Sequence, residues 1–139
     1  MPFAPCLGVK DTAVSKAFYE KLGFTVDSRT ATESDDIHMV LFDGAFCGML
    51  YRHAQLENWL TPLKGLPVGF TGMFYLEVHD FQGMLDTVAA VTEIVRGPSV
   101  DHTGTREFYF ADPDGYLIGI NDAASRQSSD LVGGFATES

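Results

Sequence analysis

Apolar and polar positions along the chain follow two patterns, alternation by twos and a stripe that returns every three to four residues. Alternation marks residues 3–9 as a strand with Leu7 and Val9 on one face. Asp11 or Thr12 then caps a helix whose apolar stripe is Val14, Phe18 and Leu22 and which Gly23 ends. Three more strands read over 24–29, 36–42 and 46–52. The order then repeats: a strand over 73–79, a helix over 81–91 with Phe81, Leu85 and Val88 on one face, and strands near 93–96, 105–111 and 116–121. The predicted fold class is α+β, two β-α-β-β-β units over 3–53 and 73–122 within one domain. Residues 54–72, with Trp59, Pro62 and Pro67, are too many for a tight turn and too apolar for a solvated linker. They are expected to cover a site or a subunit contact. Residues 123–139 are small, polar and aperiodic, and are expected to be loose unless a partner orders them.

The two units are copies of one another. Asp43-Gly44, three residues and Gly48 reproduce the spacing of Asp114-Gly115, three residues and Gly119, an offset of 71. Pro5-Cys-Leu-Gly-Val9-Lys-Asp11 answers Phe74-Tyr-Leu-Glu-Val78-His-Asp80 at an offset of 69, each ending a strand and opening a helix. A single copy cannot close its own core, so the two are expected to pack together.

Composition and charge narrow the classes of function. With 139 residues and 45% apolar content the chain suits one globular domain. Nine basic against 19 acidic residues leave a net charge of −10, which argues against nucleic acid and anionic membrane as partners and favours a neutral or cationic ligand, while also serving solubility. No apolar run approaches a membrane span, and the opening residues lack the pattern of a signal peptide, so a cytoplasmic location is expected. Cys6 and Cys47 sit in strand-like contexts and read as packed thiols. Asp35-Asp36 reads as a solvated loop pair, and His53, His79 and His102 as exposed imidazoles. Nothing resembles a nucleophile elbow or a phosphate-cradling glycine loop.

Phe18-Tyr-Glu-Lys-Leu-Gly-Phe24 after a strand ending in Asp11, together with Arg106-Glu-Phe through the Asp112-Pro-Asp-Gly115 turn, resembles the vicinal oxygen chelate superfamily over residues 3–121. That superfamily includes glyoxalase I, extradiol dioxygenases and bleomycin-resistance proteins. The resemblance implies two units curling around a cleft, a homodimer, and in the metal enzymes one ligand near the start of each unit's first strand and one on its last. By the repeat, those positions are Ala4, Gly48, Met73 and Gly119, none of which carries an oxygen or imidazole donor. No cofactor is therefore expected, and the glycines would leave room for a larger guest.

Alternation then assigns the cleft face. Beside Ala4, Cys6 and Gly8 it holds Met73, Tyr75 and Glu77 from the second unit's first strand. The last strands add Phe46, Gly48, Leu50, Arg52, Leu117, Gly119 and Asn121, and Glu107 and Tyr109 join them. His38, with Val40 and Phe42, is the histidine with a claim to that face, and Trp59 is a further stacking candidate from the connector. An aromatic and aliphatic surface with few polar anchors suits a flat organic ligand, with Tyr75, Tyr109, Phe46 and Trp59 to stack and Glu77 and Glu107 to meet a cation. The expected function is metal-free binding and sequestration of a planar aromatic molecule, cationic ones included, without turnover. The alternative is an enzyme of the glyoxalase, dioxygenase or isomerase type with a metal relocated to His38, Glu77 and Glu107.

Overall fold

The computed structural model describes residues 3–69, 73–131 and 133–135. It divides into two compact units, Met1–Gly69 with Pro113–Gly115, and Phe70–Asp112 with Tyr116–Ser139.

The first unit runs β1 (Cys6–Val9), α1 (Thr12–Lys21), β2 (Thr25–Asp27), β3 (Ile37–Phe42), β4 (Ala45–Arg52) and α2 (His53–Trp59). The second runs β5 (Met73–Val78), α3 (Phe81–Val91), β6 (Ile94–Val100), β7 (Arg106–Ala111), β8 (Leu117–Asp122) and α4 (Ala123–Gln127). The duplication read from the sequence is realised in the topology: the sheet orders are β1-β4-β3-β2 and β5-β8-β7-β6. In each, the first strand lies parallel to the last and the remaining pairs are antiparallel. The equivalent aspartates do equivalent work. Asp11 accepts from the backbone N–H of Ala13 and Val14 at the start of α1, and Asp80 accepts from that of Gly83 in α3. Asp43 and Gly44 both take positive φ, 51° and 77°, the pairing a two-residue hairpin needs to match strand twist.

Helix α1 buries Thr12, Ser15, Phe18 and Tyr19, with Leu22 just beyond its end, whereas Val14 is 52% exposed. The expected stripe of Val14, Phe18 and Leu22 is corrected here. Steps of four drift round a helix of 3.6 residues per turn, so Ser15 and Tyr19 complete the buried face and Val14 falls off its edge. In α3 the buried residues are Phe81, Met84 and Val88, with Leu85 half-buried. Phe81 meets Phe108 edge to face at 5.5 Å, and Phe108, Phe110 and Ile120 are fully buried beneath the helix.

Two segments read as irregular contain helix. In the connector, α2 buries Leu56 and is followed by a 3-10 turn over Thr61–Leu63, while 70–72 lie outside the described residues. In the tail, Asp122 caps α4 by accepting from the N–H of Ala124, and Ala123 is fully buried. A cap and one buried small residue hold this turn without an apolar stripe, which is why periodicity missed it; 132 and 136–139 lie outside the described residues. Cys6 is exposed and Cys47 half-buried, so neither is packed as deeply as expected.

Asp36 is not solvated but 9% exposed, and its carboxylate accepts from Thr12 Oγ1 at 2.6 Å, His38 Nε2 at 2.7 Å and Arg52 Nε at 3.1 Å. Burial by itself would push this carboxyl up. The hydrogen bonds from Thr12 and His38 and the charge of Arg52 outweigh it and hold the group below the usual carboxylate range. A folded-state value below the unfolded one gives stability that is complete above about pH 5 and fades as the carboxyl protonates below about pH 4. Asp36→Ala strands three donors and is expected to cost roughly 3–5 kcal/mol at pH 7. Urea unfolding of the two proteins checks this, and their difference should shrink in acid.

Candidate functional site

Three strands of the second sheet build the site. Tyr75, Gly119 and Tyr109 are direct neighbours across β5, β8 and β7, and so are Glu77, Asn121 and Glu107 in the next row, and Met73, Leu117 and Ala111 in the row before. Directly opposed residues project from the same side of a sheet, so all nine share one face. The other face carries Phe108, Phe110, Ile118 and Ile120 under α3. Met73, Tyr75, Glu77, Glu107, Tyr109 and Asn121 come together on the face away from α3.

Tyr109 donates its one hydroxyl hydrogen to Glu107 Oε2 at 2.8 Å. The Tyr75 oxygen lies 3.1 Å from that of Tyr109 and 3.9 Å from Met73 Sδ, two acceptors for its one hydroxyl hydrogen. The rings meet edge to face with centroids 6.0 Å apart, and Tyr75 is 55% exposed while Glu107 and Asn121 are 8% and 7% exposed. Burial, with the bonds to Tyr75 and Glu107, pushes the Tyr109 phenol far up, so it stays a donor and does not serve as a phenolate base. Sequence reading missed two residues of this surface: Arg96 stands opposite Tyr109 and Ser99 opposite Glu107 on β6. Register shifts on either side of Arg96 break the alternation that would have revealed them.

The first unit does not follow the same assignment. Its expected cleft residues His38, Leu50 and Arg52 lie on the side of its sheet that α1 covers. His38 opposes Leu50, which is 1% exposed, and Leu50 opposes Leu7, with Val9 opposing Arg52. Phe42, placed with them, contacts Phe24 at 5.0 Å, which in turn packs on Tyr19 of α1. The reason is one extra residue. Val40 opposes Gly48 but Leu41 opposes Phe46, so Cys47 is unmatched and the parity of β4 inverts beyond it. Phe46, before that point, is half-buried on the face opposite Phe42. Trp59, at the end of α2, is 59% exposed and lies 6.4 Å from the Tyr51 ring.

Both nitrogens of His38 are engaged, Nε2 by Asp36 and Nδ1 at 2.8 Å from Ser28 Oγ, which accepts from Lys16 Nζ at 2.7 Å. Asp35 accepts from the Tyr51 hydroxyl at 2.6 Å, so neither member of the aspartate pair is simply solvated. Asp36 and Arg52 also line an open cavity of ≈ 720 Å³ with Ala31, Thr32 and Glu33, a polar hollow with no aromatic wall. His79 and His102 are exposed as expected, whereas His53 is held by the Leu66 carbonyl and Glu57.

The family model of the Glyoxalase/Bleomycin resistance protein/Dioxygenase superfamily matches residues 3–120. The chain belongs to this superfamily. No curated protein matches its sequence. Among solved structures it is similar to a hypothetical protein from S. aureus, with 19% identity, a TM-score of 0.71 and coverage of 88% of this chain and 93% of that one. A protein of unknown function from Agrobacterium tumefaciens shares 25% identity at a TM-score of 0.68, covering 88% and 94%. A bleomycin-binding protein complexed with bleomycin shares 21% identity at 0.61, covering 88% and 98%.

The metal that superfamily membership implies does not fit the residues present. The four positions that the repeat marks for it, Ala4, Gly48, Met73 and Gly119, carry no oxygen or imidazole donor. A Cβ at Gly48 would lie 2.7 Å from the Pro5 carbonyl oxygen. One at Gly119 would lie 2.6 Å from Tyr75 Cε1 and 2.8 Å from Tyr109 Cε2. The room at Gly119 is thus taken by the protein's own tyrosines. Among the described residues no three His, Cys, Asp or Glu side chains converge, and the relocated set of His38, Glu77 and Glu107 starts from a histidine with no nitrogen to give. Nor is any described helix long and apolar enough to cross a membrane.

Gly119→Ala is expected to force the two tyrosine rings apart. It should lower stability by roughly 1–3 kcal/mol. Urea midpoints, together with loss of the tyrosine near-UV circular dichroism that the ring pair produces, check the effect.

Proposed function

We propose that the face formed by Tyr75, Gly119 and Tyr109 binds a small planar aromatic molecule without a metal. The observation that carries this is the Tyr75 ring, more than half exposed and propped edge-on by Tyr109, whose hydroxyl is anchored to a buried carboxylate. An ordered, exposed aromatic ring loses little entropy when a flat partner covers it. Met73 and Leu117 extend the same face with apolar surface. The bleomycin-binding protein that shares this fold supports a binding role for such a scaffold. Phe46 and Trp59 are further stacking candidates; Leu50 and His38 drop behind them because they are buried on the α1 side of their sheet, and Arg52 because its guanidinium is held by Asp36. We also take the working assembly to be a homodimer, which sedimentation equilibrium checks.

Thermal-shift screening of planar aromatics, followed by calorimetric titration of the hits, tests the reading. Stoichiometric binding is expected, weakened about tenfold or more by Tyr75→Ala and little by Tyr75→Phe, which keeps the ring. A panel with no hits, or hits indifferent to Tyr75→Ala, overturns it.

A further inference from the structure

Glu107 is 8% exposed and, among the described residues, forms no ion pair. Its carboxylate accepts from the Tyr109 hydroxyl, on Oε2. Beside it in the ladder, the Asn121 side-chain oxygen is buried and has no hydrogen-bond partner among the described residues, while Asn121 as a whole is 7% exposed. Glu77 flanks Asn121 on the other side. This row is rich in acceptors, and a buried carboxylate and a buried amide oxygen are each costly to leave without a donor.

Resting on the binding proposed above, we infer that the aromatic ligand carries a protonated amine, and that Glu107 and Asn121 Oδ1 receive its N–H groups. The charge fits an ammonium, which brings several hydrogens to two neighbouring acceptors. The spacing limits the ligand further. The Tyr75 row and the Glu107 row are two residues apart along the strands, about 6–7 Å. The aromatic system and the charged nitrogen of the guest should be separated by about the same distance. That describes an arylethylammonium rather than an aniline, whose nitrogen lies on the ring.

Calorimetry with 2-(naphthalen-2-yl)ethylammonium and its neutral counterpart 2-(naphthalen-2-yl)ethanol tests this. The amine is expected to bind about tenfold or more tightly than the alcohol, a ratio that Glu107→Gln brings to within about twofold. The isosteric Asn121→Leu should narrow the ratio as well, and it stands in should Glu107→Gln fail to fold. If both probes bind equally, the amine inference falls and aromatic binding stands. If neither binds, both fall. Mn2+ that binds stoichiometrically and displaces the amine would assign the row to a metal and overturn the inference.

Discussion

Strands β5, β8 and β7 are hydrogen-bonded without a register shift from Met73 through Val78, and that unbroken ladder is the constraint on which the candidate site rests. Because opposed residues share a face, each row of the ladder collects one side chain from three distant parts of the sequence. A tyrosine pair therefore lies over a glycine, and a carboxylate beside an amide. Alternation then commits the remaining residues to α3, where Phe108, Phe110 and Ile120 are fully buried. Core and site are two faces of one arrangement, so neither can shift by a residue without the other.

The first unit shows what happens when the ladder is interrupted. Its topology is the same, but Cys47 is unmatched between β3 and β4, and every residue after it changes sides. Leu50 goes into the core and Arg52 turns to Asp36. The Asp-Gly-x-x-x-Gly spacing recurs in both units, yet Gly119 lies beneath two phenol rings and Gly48 against a backbone carbonyl. Duplicated sequence has been put to different uses through one bulge in the pairing of β3 with β4.

The two buried carboxylates differ in the same way. Asp36 is met by a hydroxyl, an imidazole and a guanidinium, enough to keep it ionised despite burial. Glu107 is met by a phenol alone in the described structure. The first is a closed network that ties the start of α1 to β3; the second leaves bonding capacity in the row beside the tyrosine pair. That asymmetry sets the two units apart.

Local pattern alone determined the duplicated units, the Asp43-Gly44 turn and which residues of β5, β7 and β8 share a face, because each follows from nearest-neighbour geometry that a few residues dictate. Pairing between strands was needed for the rest. Whether β4 carries a bulge depends on how it meets β3, so the fates of His38, Leu50 and Arg52 could not be read from their own alternation. The same holds for Arg96 and Ser99 on the irregular β6, and for the solvated-looking Asp36, whose partners Thr12, His38 and Arg52 reach it only once helix and strands have packed.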